Sequence, residues 1–345
     1  MSTLPPIAVV GATGAVGVEF LSLFEQRRWK LGDVRLLASS RSAGTSAMVQ
    51  GRSVTIQELR PESLRGVSLA LFSAGGSISK EYGPIAQREG ALVVDNSSAF
   101  RMSPDSPLVV PEINGERVGP YRGFKPGIIA NPNCSTIILL VAMEPLRRAF
   151  GVERMVVSTY QAASGAGAAA MKELEDQTRD VLAGREGVPR IFHEVYAFNL
   201  FSHNSKVDSA TGRNVEEQKL IDETRKIWGD PSVKVSATCV RVPVMRAHAE
   251  SVNVTLGRAA SESEVRAALG GAAGVRVVDD RENNRFPTPL KASGEDDILV
   301  GRIRPDDTQA CEGGRYVGWN LFIAGDQLRK GAALNAVQIA ELAME

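Results

Sequence analysis

A short apolar run, Ile7–Val10, stops at a glycine and passes through Gly11-Ala-Thr13-Gly14-Ala15-Val16-Gly17 into a stretch with helical spacing of Phe20, Leu21 and Phe24. A buried strand that turns into a helix over so few residues opens a βαβ unit, because parallel strands need a crossover to return the chain to the same edge. The alternation continues. Residues 34–38, 67–73 and 91–95 are further apolar strand patterns, and a helical pattern near 79–89 separates the last two. Such a chain predicts an α/β fold whose first part is a Rossmann-like, doubly wound and mostly parallel sheet.

Glycines at the elbow permit a tight turn and close backbone approach, and the helix amino terminus offers N–H groups to a pyrophosphate. The spacing is GxxGxxG, and a glycine-rich turn can be only a turn. Its position directly after a strand favours a nucleotide and makes Gly11, Thr13, Gly14, Ala15 and Val16 candidate contacts. The second strand discriminates between cofactors. An acidic residue at its end would suit the ribose hydroxyl of NAD. Here Leu36-Leu37-Ala38 runs into Ser39-Ser40-Arg41-Ser42, whose hydroxyls and guanidinium suit the 2′-phosphate of NADP. Ser73 and Gly75, at the end of another strand, are expected near the same cofactor. Short-chain dehydrogenases are excluded. Their Tyr and Lys share a helix face, whereas Tyr121 and Lys125 flank Gly123 and precede Pro126.

Forty basic residues balance forty acidic ones, so no global field recruits nucleic acid or an anionic membrane. The amino-terminal stretch has no cationic segment before its apolar run, and no signal peptide is expected. The best membrane candidate, residues 137–143, falls short of the roughly 20 residues a span requires. Cys134, Cys239 and Cys311 are odd in number and show neither metal-ligand nor disulfide spacing, which suits a reducing cytoplasm. No metal is expected.

After Asn131-Pro-Asn133 the pattern changes. A helix over 134–150 leads into longer strands at 152–161, 234–243, 250–257, 298–304 and 316–324, with helices at 166–183 and 215–228 among them. This predicts a mixed α+β second domain over 134–327. The first domain spans 1–133 and is completed by a closing segment, 328–345, whose helix over 331–344 returns to it. Residues 279–297, charged and carrying Pro287 and Pro289, are expected to form a long surface loop.

Cys134 falls in the first turn of its helix, where unpaired N–H groups and the dipole favour a thiolate. Cys239, inside an apolar strand, is the better core thiol. Of the three histidines, His248 follows a strand-ending Pro243 at a rim. By itself it would be a surface histidine more often than a base, and Arg241 a surface cation. The pair Glu216 and Lys219 would ordinarily be an exposed helix pair worth about 0.2–0.5 kcal/mol.

The residues also carry a resemblance over nearly the whole chain. Gly11–Gly17, Ser97-Ser-Ala-Phe-Arg101, Val110-Pro-Glu-Ile-Asn114, Asn131–Thr136, Thr159-Tyr-Gln161-Ala-Ala-Ser164-Gly165-Ala-Gly167, Glu216-Glu-Gln-Lys219, Arg241-Val-Pro-Val-Met-Arg-Ala-His248-Ala-Glu250 and Leu328-Arg-Lys-Gly-Ala-Ala-Leu-Asn335 occur in that order. The set resembles the aspartate-semialdehyde dehydrogenases. The resemblance implies a homodimer that uses NADPH to reduce aspartyl phosphate, in the aspartate pathway to lysine, methionine and threonine. It implies Cys134 as acyl-thioester nucleophile, His248 as general acid/base and Gln161 as orienting residue. Arg241 would grip the α-carboxylate, Glu216 would meet the ammonium, and Arg101 and Lys219 would hold the phosphate. Ser164 and Gly165 would lie at the nicotinamide. Gln327 stands where the family commonly reads Asn, and its retained amide implies a cofactor contact. His203 is expected to be structural. Other phosphorylating aldehyde dehydrogenases, such as the N-acetylglutamyl-phosphate type, share the thiol–histidine logic but not the clamp for a free amino acid. A silent paralogue would have lost the thiol or the base.

Overall fold

In the computed structural model, which describes residues 3–345, the chain begins with β1 (Ile7–Val10), α1 (Ala15–Gln26), β2 (Val34–Ala38), β3 (Ser46–Val49), β4 (Arg52–Glu58), β5 (Leu69–Phe72), α2 (Gly76–Arg88), β6 (Leu92–Asp95), α3 (Pro111–Asn114) and β7 (Gly127–Ala130). Met1 and Ser2, part of the stretch read above for a leader, lie outside the described residues. β1, β5, β6 and β7 bury every side chain, as strands of a parallel sheet covered on both faces must. The sheet is seven-stranded in the order β3-β4-β2-β1-β5-β6-β7, and only the β3–β4 pair is antiparallel.

That hairpin is absent from the sequence reading. Gln50 and Gly51, with φ of 48° and 75°, make its two-residue turn. Both in the left-handed region is what a twisted hairpin favours.

The chain continues through α4 (Cys134–Phe150), β8 (Val152–Gln161), α5 (Ala168–Leu182), β9 (Phe201–Ser202), α6 (Val215–Trp228), β10 (Lys234–Arg241), β11 (His248–Ala260), α7 (Glu262–Leu269), β12 (Val275–Val277), α8 (Pro289–Ala292), β13 (Ile298–Pro305), β14 (Cys311–Glu312) and β15 (Arg315–Gly325). These build an eight-stranded mixed sheet, β12-β13-β15-β11-β8-β10-β9, with β14 paired to β15. The expected surface loop at 279–297 contains α8, capped by Thr288, and an antiparallel bridge between Asp280 and Arg285. A π-type turn over Arg329–Ala333 precedes the closing helix α9 (Leu334–Met344), which therefore starts later than its apolar pattern suggested.

Two compact units result, one ending at Asn133 and completed by Ala332–Glu345, the other Cys134–Gly331. In the first, α9 buries Leu334, Val337 and Ile339 in one core with Phe20, Phe24, Leu36 and Leu71. In the second, α4 and α6 cover one face of the mixed sheet. Alternation along the strands gives that face Cys239 and Arg241 from β10, Thr159 and Gln161 from β8, and His248 and Glu250 from β11.

Candidate active site

In the first unit β1 lies between β2 and β5, where the order of the parallel strands reverses, and ligands of open α/β sheets bind outside the carboxyl ends there. Gly11 has φ +86°, and a Cβ on it would stand 2.3 Å from the Ser73 carbonyl oxygen. The elbow and the end of β5 are thus pressed together, which only glycine permits. Gly17 is equally closed, its Cβ position being 2.3 Å from the Gly11 carbonyl oxygen. α1 starts after Gly14 without a side-chain cap and without an acid in its first turn, leaving its positive end suited to an anion. Thr13 and Gly14 are exposed, and Ala15 and Val16 half-buried. Gly75, with φ +89°, is the residue before α2. Ser39, Ser40 and Arg41 form an exposed turn closed by Ser42 and Ala43 N–H groups on the Ser39 carbonyl. These residues fit a dinucleotide carrying a 2′-phosphate.

Arg101 belongs to this unit. It is buried, unlike an ordinary loop cation, with Nε donating to the Asn131 carbonyl at 2.9 Å and Nη2 to that of Asn96 at 2.8 Å. Asn335 on α9 ties the same segment by donating to Asn131 Oδ1 at 2.7 Å.

The second unit collects most of the expected catalytic residues. Cys134 is the first residue of α4 and half-buried. Its Sγ lies 3.6 Å from His248 Nε2. The histidine is not at an exposed rim. It opens β11 and is fully buried, because that strand pairs with β15 on one side and β8 on the other. The Ala162 N–H donates to His248 Nδ1 at 3.0 Å. A ring that accepts there carries its proton on Nε2 when neutral, facing the sulfur. Burial first, and then the Arg241 guanidinium, push the imidazole from 6.5 down to about 3.

Gln161, at the end of β8, donates through Nε2 to Ser135 Oγ at 2.6 Å and to Glu216 Oε1 at 3.2 Å. Glu216 Oε2 pairs with Lys219 Nζ at 2.9 Å. This is no ordinary exposed helix pair, since Glu216 is 5% exposed. α6 presents both residues from its first turns, fixed by a capping box in which Asn214 and Glu217 bond reciprocally. Arg241 is also buried rather than on the surface, with Nε donating to Asn204 Oδ1 and Nη1 to the Ala162 carbonyl, each at 3.2 Å.

Ser135, Asn204 and Tyr196 were missed in the sequence. Ser135 lies inside the Asn-Cys-Ser-Thr motif, which was a usable signal. Asn204 and Tyr196, whose hydroxyl donates to the Val242 carbonyl at 2.7 Å, sit in irregular chain with no such mark. His203 is buried beside them, accepts from the Ser205 N–H at 3.2 Å, and is pushed down to about 4, by burial and then by Arg241.

Ser164 and Gly165 form part of a strap, 162–165, laid against the histidine. A Cβ on Gly165 would come within 3.0 Å of His248 Cε1 and Nε2 and 3.1 Å of Arg241 Nη1. Gly331 packs as closely on the base of the cysteine side chain, its Cβ position lying 3.0 Å from Cys134 Cβ. Ala247 has φ +71°, a left-handed conformation that costs a non-glycine residue about 1–3 kcal/mol. Gln327, 2% exposed, accepts from the Ala247 N–H at 2.8 Å through Oε1, and its Nε2 donates to Ser164 Oγ.

Below the row of Arg241, Gln161 and His248 lie Cys239, Thr159 and Glu250. Burial pushes the Cys239 thiol up and the Glu250 carboxyl well above the usual range. Neither Glu250 oxygen has a hydrogen-bond partner, and the acid is neutral there. Among the described residues no cluster of His, Cys, Asp and Glu could hold a metal ion, and no helix is long and apolar enough to cross a membrane.

A nucleotide elbow on one unit and a thiol–imidazole pair on the other define a dehydrogenase acting on aldehydes. Both units match that class: residues 6–120 match the semialdehyde dehydrogenase NAD binding domain, and residues 143–330 the semialdehyde dehydrogenase dimerisation domain. The chain is 48% identical over 339 residues to the aspartate-semialdehyde dehydrogenase of Synechocystis sp., covering 98% of this chain and 97% of the relative. It superimposes on the crystal structure of aspartate semialdehyde dehydrogenase II complexed with ASA from Vibrio cholerae with a TM-score of 0.93, at 42% identity over 99% of this chain and 98% of that one. The structure of the Candida albicans enzyme with NADP aligns with a TM-score of 0.76, at 25% identity over 98% of each chain. The chain belongs to the aspartate-semialdehyde dehydrogenase family and is an oxidoreductase of that activity, with a nicotinamide dinucleotide as cofactor.

Proposed function

We propose that the chain reduces L-4-aspartyl phosphate to L-aspartate 4-semialdehyde and phosphate, with Cys134 as the nucleophile. The observation that carries this reading is the 3.6 Å approach of the sulfur to His248 Nε2, on the sheet face that also bears Gln161 and Arg241 and is covered by the helix carrying Glu216. The thiolate attacks the acyl carbon, a C–S bond forms, the acyl C–O bond breaks, and phosphate leaves as a thioester remains. Lys219 and Arg101 are the cations assigned to that phosphate. NADPH, when bound by the elbow residues, would supply the hydride for reduction of the thioester to a thiohemiacetal oxyanion. His248 offers its Nε2–H to that oxygen while it is charged. The C–S bond then breaks, the carbonyl re-forms, and the sulfur recovers its electron pair as thiolate. Dividing one hard acyl reduction into two steps is what the covalent route contributes.

Arg241, held by Asn204 and by the Ala162 carbonyl, is assigned to the substrate α-carboxylate, and Glu216 to its ammonium. Gln161, anchored on Ser135, orients the reacting group. NADP binding is assigned to the elbow residues Gly11, Thr13, Gly14, Ala15 and Val16, to Ser39, Ser40 and Arg41, to Ser73 and Gly75, and to Ser164 and Gly165. The same reading makes the enzyme a cytoplasmic homodimer in the aspartate pathway to lysine, methionine and threonine. The substitution Cys134→Ala tests it. Turnover with aspartate semialdehyde, phosphate and NADP should vanish while NADPH still binds, as read by fluorescence titration. Turnover that survives would end the thioester mechanism, and lost NADPH binding would make Cys134 structural.

A further inference from the structure

Two groups of this site are assigned above to the two ends of an unmodified α-amino acid, Arg241 to its carboxylate and Glu216 to its ammonium. They come from different elements, β10 and α6. One short turn, His203-Asn204-Ser205, touches both. It is fixed at its start, where the His203 N–H donates to the Cys239 carbonyl at 2.9 Å and so extends the pairing of β9 with β10.

Asn204 reaches the guanidinium. Its Oδ1 accepts from Arg241 Nε at 3.2 Å, the Ala162 carbonyl accepts from Nη1 at 3.2 Å, and the Phe192 ring lies against one face with its centroid 5.7 Å from Cζ. Both acceptors are neutral oxygens, and among the described residues no carboxylate bonds to Arg241, so its charge is left for a ligand. A guanidinium presents its donors in a planar fork. With Nε occupied and Nη2 without a partner among the described residues, a carboxylate can be gripped in bidentate fashion only end-on, by Nη1 and Nη2 together.

Ser205 acts at the other group. Its Oγ accepts from the Glu216 N–H at 3.2 Å, an amide of the first turn of α6 that has no partner inside the helix. The cap Asn214 is used on the next amide, that of Glu217. One turn thus sets the cation and the anion relative to each other.

We infer that the turn 203–205 is the specificity element for a free α-amino acid. Asn204 holds Arg241 by a neutral oxygen and turns its terminal nitrogens to the carboxylate, while Ser205 seats Glu216 for the ammonium. The inference deepens the substrate reading given above and rests on it.

The test compares aspartate semialdehyde with 3-aminopropanal, which lacks the carboxylate, and with succinic semialdehyde, which lacks the ammonium. Each is measured with phosphate and NADP as kcat/KM, or as a competitive Ki where no turnover is seen. Asn204 is exposed, so its replacement leaves the core intact. Asn204→Ala should raise KM for aspartate semialdehyde about tenfold, the loss of one hydrogen bond to a charged group, with kcat and the 3-aminopropanal value little changed. Asn204→Asp keeps an acceptor for Nε but sets a competing anion on the guanidinium, and should raise that KM further than N204A. An asparagine that only braces the fold predicts the reverse, because aspartate would hold the arginine at least as well. Ser205→Ala should narrow the preference for aspartate semialdehyde over succinic semialdehyde. An N204D with the KM of the wild type, losses equal for all three aldehydes, or an S205A as selective as the wild type would overturn the inference and leave the substrate reading standing. A wild-type enzyme indifferent to the carboxylate would overturn the role of Arg241, and the inference with it.

Discussion

A buried histidine under a guanidinium is held neutral near neutral pH. His248, lowered from 6.5 to about 3 by burial and then Arg241, should therefore add no limb near 6.5 to the pH profile of kcat. A limb there that disappears in His248→Asn would contradict the geometry. The same shift bears on stability. A depressed folded value means that the unfolded chain takes up the proton first, so stability is full above 6.5 and drains away as the pH falls toward 3. His203, lowered to about 4, acts in the same sense. Urea midpoints should fall between pH 7 and pH 4.5, and His203→Gln should flatten that fall. Gly165→Ala belongs at this scale too. Its Cβ has nowhere to go, because the ring 3.0 Å away is itself fixed by Ala162. A loss of kcat of about 10²-fold is expected in steady-state assays, with the fold unchanged by circular dichroism.

Elements differ in how openly the chain announces them. α6 was legible because its start carries its own chemistry. Asn214-Val-Glu-Glu217 is a capping box, and its bonds form as written. Asn214→Ala should cost about 1 kcal/mol in chemical denaturation and disturb Glu216 and Lys219, which ride on the first turns. The β3–β4 hairpin was not legible. Its strands are largely exposed, and only Val49 and Ile56 are buried, too few to mark a period. The sequence reading starts β11 at Glu250, two positions late, after a strand-ending Pro243 and a rim. The strand begins at His248, where the pairing with Gly325 of β15 starts. That difference separates a surface histidine from a buried one.

At the scale of the whole molecule, the fold buries an acid it could do without. Glu250 is sealed with no partner for either oxygen. A carboxyl raised in the folded state contributes stability below its ordinary value, and that contribution is lost as the pH rises. Glu250→Gln should therefore raise the Tm at pH 8 more than at pH 4.5. An equal change at both would show that the acid is ionised or solvated. The mixed sheet has its own large-scale feature. Its face away from α4 and α6 presents Ser158, Tyr160, Ser251, Asn253 and Phe322, none of them fully buried. The sheet belongs to the unit that matches the dimerisation domain, and the homodimer proposed above would bury this open face. Ser251→Arg should shift the sedimenting species from two chains to one, since an unpaired charge in an interface core is strongly disfavoured.

Local chemistry could be read directly from the residue order: the glycine elbow after Ile7–Val10, the helix that starts at Cys134, and the polar end of β2 that suits a 2′-phosphate. These depend on neighbours a few positions apart, where backbone geometry rather than packing governs the outcome. The seating of His248 beside the sulfur, the tie from Gln161 to Ser135, and the bond of Ala247 to Gln327 lay beyond that reach. Each joins residues distant along the chain, and which side chains meet across a sheet is set by strand register and burial, neither of which any single segment encodes.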